Sequence, residues 1–328
     1  MFTEASVELT GCLATPSFAP RAAVNNLPIN RSQGDAMTTT DGPTAIATLT
    51  RKPLNEEIDV FGLTHPGKVR KTNQDHFLLA SVHKRVDVLL TSLDVGRLPF
   101  GEERLAFFAM VADGVGGGEL GEEASRLALE AVMQYVTRSM QCYYQADGRE
   151  EEFINALQEA AMQSHALVRE RASASPGVRS MATTLTLLMG VWPWAYLLQV
   201  GDSRYYVFRE GHLTQVTRDQ TMAQELLDQG VFTRTDAFQA KWAHVLSSAI
   251  GGHQTAPVVT RMQNDWRNVH LLCSDGLTKH VPDERIAQRL AAMTSAKGAC
   301  EQLLQDALDG GGSDNVTIIV GRAIPRPA

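Results

Sequence analysis

Residues 105–114 read Leu-Ala-Phe-Phe-Ala-Met-Val-Ala-Asp-Gly, an unbroken apolar run that ends abruptly at a carboxylate. A short, continuous apolar run is typical of a strand that is buried on both faces. Asp113 and Gly114 end the run without any gradual change in polarity. We therefore predict a buried strand with a polar side chain at its end.

Hydrophobic periodicity on both sides of this strand predicts further strands and paired helices. The other predicted strands cover residues 58–63, 77–80, 183–191, 195–200, 205–209, 213–216, 269–273 and 316–320. Two helices follow the buried strand directly and two more precede the last strand; they cover residues 122–140, 150–171, 283–293 and 296–308. Strands in hairpins, with helices in pairs between them, indicate an α+β fold of stacked antiparallel sheets with helices outside.

The overall charge limits the classes of function. The 328 residues include 30 basic and 37 acidic side chains, which gives a formal net charge of −7. Nucleic-acid binders usually present a basic surface to phosphates, so we expect no nucleic-acid partner. An acidic protein can still act on phosphate groups when metal ions supply the positive charge.

The cysteines and the longest apolar segment predict a cytoplasmic protein with no membrane span. Cysteines this far apart are typical of reduced thiols and not of disulfides or a zinc site; they are Cys12, Cys142, Cys273 and Cys300. The apolar residues 181–200 have Trp192-Pro193-Trp194 near their centre. Two strands joined by a turn at this point explain the segment better than a helix in lipid.

The N-terminal part of the chain differs from the rest in composition. Residues 1–55 are rich in Thr, Ala, Pro and Asn and contain neither Trp nor Tyr. Such a segment buries too little apolar surface to offset its ordering entropy, so we predict a disordered or loosely ordered tail. The tail is either a regulatory arm or dispensable, and one globular domain is expected over residues 56–324.

Aspartates recur at the borders of the predicted strands. Asp75 precedes one strand, and four others lie at strand ends: Asp113, Asp202, Asp275 and Asp314. A turn explains any one of these positions, but five of them together favour a shared site. Clustered carboxylates repel one another unless cations lie among them. Oxygen ligands of this kind select Mg²⁺ or Mn²⁺, and two such ions can bridge and deprotonate a water.

Six ordered motifs, five of which contain one of these aspartates, resemble those of the bacterial protein phosphatase 2C family of metal-dependent serine/threonine phosphatases. The opening motif is Gly-Leu-Thr-His-Pro-Gly-Lys-Val-Arg-Lys-Thr-Asn-Gln-Asp at residues 62–75. The others are Asp-Gly-Val-Gly-Gly at 113–117 with Gly-Glu-Glu-Ala-Ser at 121–125, Ala-Thr-Thr-Leu at 182–185, Val-Gly-Asp-Ser-Arg at 200–204, Cys-Ser-Asp-Gly-Leu at 273–277 and Gly-Ser-Asp-Asn-Val-Thr at 312–317. The resemblance extends from residue 58 to residue 321.

The resemblance implies a four-layer α-β-β-α sandwich, in which two central antiparallel β-sheets are flanked by helix pairs, with two metal ions at one end. By resemblance, Asp113 bridges both ions and the carbonyl of Gly114 is a ligand of one. Asp275 and Asp314 resemble ligands of the other ion, and Asp75 resembles the residue that holds metal-bound water.

Three further expectations follow from the same resemblance. Asp202 resembles a contributor to a third, weaker metal site. Arg70 resembles the arginine that grips the substrate phosphate, because a planar guanidinium suits two phosphate oxygens; a surface salt bridge is the alternative. A flap over residues 217–257 is expected beside the site, where it would set substrate choice, whereas the insertion at 84–103 is unexplained.

The activity that the resemblance implies is hydrolysis of phosphoserine and phosphothreonine in phosphorylated proteins by attack of a metal-bridging hydroxide. A cognate serine/threonine kinase is an implied partner, and a monomer is expected. Several positions depart from the family pattern; they are Gln74, Val115, Gly118, Met181 and Gln220. The alternative function is therefore a weak or inactive phosphatase-fold protein that binds phosphoproteins or a regulator.

Two other classes of protein fit single motifs only. Residues 116–121 satisfy the glycine pattern of dinucleotide binders, but the helix that follows leads into a second helix and not into a parallel strand. Ser203 follows Gly201-Asp202 but lies in no GxSxG turn of the kind that serine hydrolases use. The sequence therefore favours the phosphatase over both of these classes.

Overall fold

A computed structural model describes residues 51–94, 101–116, 119–138, 150–174, 181–231, 242 and 244–326. Most of the predicted tail and Gly118 lie outside the described residues. The same holds for residues 95–100 of the insertion and residues 232–241 and 243 of the predicted flap.

The described residues form eleven strands, six α-helices and a short 3-10 helix at Asn55–Glu57. The strands are β1 (Ile58–His65), β2 (Asp75–Val86), β3 (Gly101–Val115), β4 (Ala182–Thr183), β5 (Leu185–Val191), β6 (Trp194–Val200), β7 (Arg204–Arg209), β8 (His212–Gln215), β9 (Val258–Gln263), β10 (Val269–Cys273) and β11 (Val316–Ala323). The helices are α1 (Glu119–Arg138), α2 (Glu150–Ala174), α3 (Met222–Asp228), α4 (Asp275–Thr278), α5 (Asp283–Ala291) and α6 (Ala296–Asp309).

Two antiparallel sheets lie at the centre of the fold. The five-stranded sheet has the order β1-β11-β10-β7-β8, and the six-stranded sheet has the order β2-β3-β5-β6-β9 with β4 paired to β3. Side chains of β2, of β11 and of the residue that follows β10 are hydrogen-bonded across the two sheets, so motifs that are distant in sequence meet at one end of the sandwich.

Three apolar layers hold this architecture together. Phe108 and Leu187 pack with α1 and α2 on the outer face of the six-stranded sheet. Leu271 and Ile318 pack with α5 and α6 on the outer face of the five-stranded sheet. Val111 and other inward-facing side chains fill the space between the sheets. The predicted four-layer sandwich of two sheets and flanking helix pairs is therefore confirmed.

The predicted elements agree with the structure except at a few places. The segment 185–200 forms the predicted hairpin, with Leu185 paired to Val200. Strand β9 was not predicted, and neither was the single-turn helix α4. In the part of the chain that the structure describes, no helix is both long enough and apolar enough to span a bilayer.

A charged contact on the surface joins the two helices that cover the five-stranded sheet. Asp306 of α6 accepts hydrogen bonds from the guanidinium groups of Arg289 and Arg285 of α5, with Nε to Oδ2 distances of 2.7 and 2.9 Å. The hydrogen bonds from Arg289 and Arg285 outweigh partial burial and lower the pKa of Asp306 to about 2. This carboxylate therefore stabilises the helix pair only while it is ionised.

We expect Asp306→Asn to lower the thermal unfolding temperature at neutral pH, because the charged contact is lost. The folded-state pKa lies below the usual value of 3.8. The contribution is therefore complete above that value and disappears as the pH falls through about 2. Unfolding temperatures of wild type and variant between pH 2 and pH 7 should converge at the acidic end. Asp309→Asn, at an exposed position of the same helix, is the control, and an equal gap at every pH would contradict the prediction.

Candidate active site

Strands β2 and β3 place two of the predicted carboxylates opposite each other. Asp75 and Asp113 are directly paired in the register of the two strands. The backbone around Asp113 is fixed by Thr184, whose N–H donates to the Asp113 carbonyl and whose hydroxyl accepts from the Asp113 N–H, both at 2.9 Å. The buried strand predicted from residues 105–114 therefore does end at this site.

Asp75 connects the two sheets. Its Oδ2 accepts hydrogen bonds from the hydroxyls of Ser274 at 2.7 Å and Thr317 at 2.8 Å, which follow β10 and lie in β11. The side chain is buried, and its Oδ1 has no hydrogen-bond partner among the described residues. One oxygen is thus bound to the scaffold, and the other is left for a partner that the polypeptide does not supply.

The two carboxylate oxygens of Asp275 also differ in their partners. It begins helix α4 directly after β10, and its Oδ2 lies 2.6 Å from Nζ of Lys279, one turn later. Its Oδ1 is buried and, within the described ranges, lacks a hydrogen-bond partner. Gly276 behind it has no space for a side chain, since a Cβ would lie 1.8 Å from the Asn315 carbonyl oxygen. The start of α4 is therefore pressed against the loop that precedes β11.

Asp314, in that loop, contacts two basic side chains. Its Oδ1 lies 2.8 Å from Nε of Arg70, and its Oδ2 lies 2.7 Å from Nζ of Lys279. Asn315 anchors the loop that carries Arg70, because its amide donates to the carbonyls of Pro66 and Thr72. Arg70 itself is about half exposed, at 51% of its side-chain surface, so it lies at the mouth of the site.

Asp202 lies between β6 and β7 and is only 8% exposed. Gly201 before it has φ of +102°, a conformation that favours glycine. The side-chain oxygen of Gln220 accepts from the Gly201 N–H at 2.8 Å, and its amide donates to the Ala256 carbonyl at 3.0 Å. Gln220, one of the positions that depart from the family pattern, thus holds the turn that positions Asp202.

The carboxylates interact electrostatically across the site. Burial is the main cause that raises the pKa of Asp113 well above its usual value, followed by the charges of the other four; these are Asp75, Asp275, Asp202 and Asp314. Burial and neighbouring carboxylates raise the pKa of Asp75 to about 6, although two hydroxyls oppose the shift. Burial, Asp275 and Asp219 raise the pKa of Asp202 to about 7. The other four predicted aspartates therefore all act electrostatically on Asp113.

One carboxylate shifts in the opposite direction. Burial would raise the pKa of Asp314, but the hydrogen bonds and charges of Lys279 and Arg70 outweigh it and lower the pKa. For Lys279, burial would lower the pKa, but Asp275 and Asp314 raise it above its usual range. Positive charge inside this cluster is therefore strongly favoured.

The donor set has the chemistry that a hard divalent cation requires. Carboxylate oxygens are the preferred ligands of Mg²⁺ and Mn²⁺, and two buried ones, on Asp75 and Asp275, lack a partner among the described residues. As they stand, no three acidic, histidine or cysteine side chains in the described ranges converge closely enough to hold a metal ion. Lys279 and Arg70 contact Asp275 and Asp314 instead. The donor chemistry thus fits a hard divalent ion, whereas in this arrangement basic side chains contact two of the carboxylates.

The structure also places the alternative nucleophile Ser203 and two positions that depart from the family pattern. Ser203 is fully buried and hydrogen-bonded to the Thr184 hydroxyl at 2.8 Å, so it is not placed as a nucleophile. Val115 is 44% exposed, whereas Met181 is part of the core. Lys279 was not singled out from the sequence, although its spacing of four residues from Asp275 indicates a charge pair on one helical turn.

The comparisons with known proteins agree with this geometry. Residues 100–310 match the family model described as protein phosphatase 2C. The chain is 33% identical to the serine/threonine protein phosphatase PstP of Mycobacterium tuberculosis over 214 residues, which are 65% of this chain and 40% of that protein. It is 28% identical to the serine/threonine phosphatase stp of Listeria welshimeri over 212 residues, 64% of this chain and 82% of that one.

The solved structures show the same fold. The crystal structure of the M. tuberculosis phosphatase PstP superposes with a TM-score of 0.65 at 28% identity and covers 82% of this chain and 99% of that one. A second structure of its catalytic domain, in complex with two manganese ions, gives a TM-score of 0.63.

These superpositions assign the antiparallel sandwich of this protein to the fold of the serine/threonine phosphatases. Within that class, the chain belongs to the protein phosphatase 2C family. The predicted family is therefore confirmed. The match spans less than half the length of the mycobacterial relative.

The contact between β3 and α1 provides a test of how the site is built. A Cβ on Gly114 would lie 2.1 Å from the Gly121 carbonyl oxygen, so Gly114→Ala should force the strand end and the helix apart. We expect it to lower the free energy of unfolding by about 1–3 kcal/mol or more, as overpacking does. Gly190→Ala, where the nearest atoms are 3.9 Å away, is the matched control, and urea unfolding measures both. Equal stability of the two variants would contradict the tight contact.

Proposed function

We propose that this chain is a metal-dependent protein serine/threonine phosphatase that hydrolyses phosphoserine and phosphothreonine monoesters. One observation carries the proposal: carboxylates from separate strands, loops and a helix start gather at one end of a protein phosphatase 2C fold, and Asp75 and Asp275 each keep a buried oxygen without a partner among the described residues. A structural carboxylate normally satisfies both oxygens within the protein.

We assign the metal ligands to Asp75, Asp113, the carbonyl of Gly114, Asp275 and Asp314. The ions would be Mn²⁺ or Mg²⁺, since all donors are oxygens. When bound, they supply positive charge for the phosphate and make a water nucleophilic at neutral pH. In support, the mycobacterial PstP structure contains two manganese ions. Asp202 lies close enough to interact with Asp275 and is a candidate ligand of a third ion.

Side chains of this protein orient the Asp75 carboxylate and the substrate phosphate. The hydroxyls of Ser274 and Thr317 hold Asp75 through its Oδ2, and the buried Oδ1 has no hydrogen-bond partner among the described residues. Arg70 lies at the mouth and can turn its guanidinium from Asp314 to the phosphate dianion, where two parallel N–H donors match two oxygens. The salt bridge and phosphate binding are thus two positions of one exposed side chain.

The partners that fit this activity are phosphorylated proteins and a cognate serine/threonine kinase. Two relatives carry the name serine/threonine phosphatase, which supports substrates of this class. The segment 217–257 begins beside Asp202 and contributes α3, which supports a role in substrate choice. We propose a monomer that acts in the cytoplasm.

We expect the purified chain to hydrolyse p-nitrophenyl phosphate only with Mn²⁺ or Mg²⁺ present. Asp113→Ala and Asp275→Ala should each lower kcat/KM by about a hundredfold or more, because loss of a metal ligand removes several kcal/mol of transition-state stabilisation. Asp309→Asn removes the same charge from an exposed helix end and should keep wild-type activity. Absence of metal-dependent hydrolysis, with phosphopeptide binding retained, would instead support the alternative of a binding protein.

Phosphopeptides test the substrate class separately. We expect release of inorganic phosphate from phosphothreonine and phosphoserine peptides, and Arg70→Lys should raise KM more than it lowers kcat, because the planar fork is lost. An unchanged KM in this variant would contradict phosphate binding by Arg70.

A further inference from the structure

A lysine ammonium lies among the proposed metal ligands. Nζ of Lys279 is 2.6 Å from Asp275 Oδ2 and 2.7 Å from Asp314 Oδ2, and the side chain is only 22% exposed. Both distances are those of charge-assisted hydrogen bonds. Lys279 therefore occupies space between two carboxylates that we assign to a divalent ion.

The backbone holds this lysine in place. The Lys279 N–H donates to the Asp275 carbonyl at 2.8 Å, which closes the single turn of α4. Nε2 of the next residue, His280, accepts from the Ser313 N–H at 2.9 Å, so its Nδ1 carries the proton and donates to the Gly310 carbonyl at 3.0 Å. The loop before Asp314 is thus tied to the end of the helix that carries Lys279.

The positive charge of Lys279 also acts on a third carboxylate, that of Asp202. Burial and two carboxylates raise the pKa of Asp202, and Lys279 is the positive group that opposes this shift. The ammonium therefore contacts Asp275 and Asp314 directly and acts on Asp202 through its charge. A lysine head group is a compact point charge, so it resembles a small cation more closely than a guanidinium does.

We infer that Lys279 is a tethered cation that takes the place of a divalent ion beside Asp202, Asp275 and Asp314. An ion approaching Asp275 Oδ2 or Asp314 Oδ2 has to displace an ammonium attached to the same backbone. Even at a distance of about 4 Å, the two like charges repel substantially in a partly buried site. Lys279 therefore weakens the binding of a divalent ion at this position. This inference rests on the proposed metal binding.

Isothermal titration calorimetry of the full chain with MnCl₂ tests the inference without any measurement of activity. Lys279→Met keeps the aliphatic stem and removes the charge, so we expect Mn²⁺ to bind about tenfold more tightly or one further ion to bind. Lys279→Arg keeps the positive charge and should not tighten Mn²⁺ binding as Lys279→Met does. Lys68→Met removes the same charge from an exposed position in the loop between β1 and β2 and should leave binding unchanged.

The outcomes separate this inference from the proposed function. If wild type binds Mn²⁺ and Lys279→Met binds it equally or more weakly, the tethered-cation role is wrong and the lysine only orients its carboxylates. If neither protein binds Mn²⁺, both the inference and the metal-dependent function are wrong. If only the variant binds it, the inference holds and the metal-dependent function of the wild type does not. Lys279→Gln gives a second uncharged variant in case the methionine variant does not fold, as judged by circular dichroism.

Discussion

The hydrogen bonds to one oxygen of Asp75 are the contact on which the site depends. Ser274 and Thr317 belong to the five-stranded sheet and its following loop, whereas Asp75 begins a strand of the other sheet. The contact therefore fixes how the two sheets approach each other at this end of the sandwich. Asp113, paired with Asp75 in the β2–β3 register, is positioned by the same contact.

This arrangement gathers negative charge that the apolar core cannot tolerate unbalanced. In the structure, Lys279 and Arg70 neutralise Asp275 and Asp314, while Asp113 and Asp75 respond through raised pKa values. The negative charge is thus reduced in two ways: by ion pairs at Asp275 and Asp314, and by a raised affinity for protons at Asp113 and Asp75. The site therefore contains positive charges supplied by the chain itself, on Lys279 and Arg70.

The fold could be predicted from the sequence because its signals are local. The apolar run before Asp113 and the hairpin around Trp192-Pro193 are visible in short windows of sequence. Strand β9 was missed because it is an edge strand of partly exposed side chains that follows a polar segment. The aspartates could be found from their recurrence at strand ends. Lys279 could not be assigned a role, because its contact with Asp314 depends on packing between α4 and a loop 35 residues later.

The unequal use of the two oxygens of Asp75 has a consequence for sequence change at this position. Asparagine has nearly the same shape, but it offers one acceptor and an NH₂ group in place of two acceptors. In one orientation of the amide, the hydroxyls of Ser274 and Thr317 would face the hydrogen atoms of its NH₂ group. In the other, the NH₂ group would take the place of Oδ1 and present a donor where the aspartate has an anionic oxygen. An isosteric exchange at this position therefore reverses the polarity of one face of the side chain, and no rotation of the amide restores both faces.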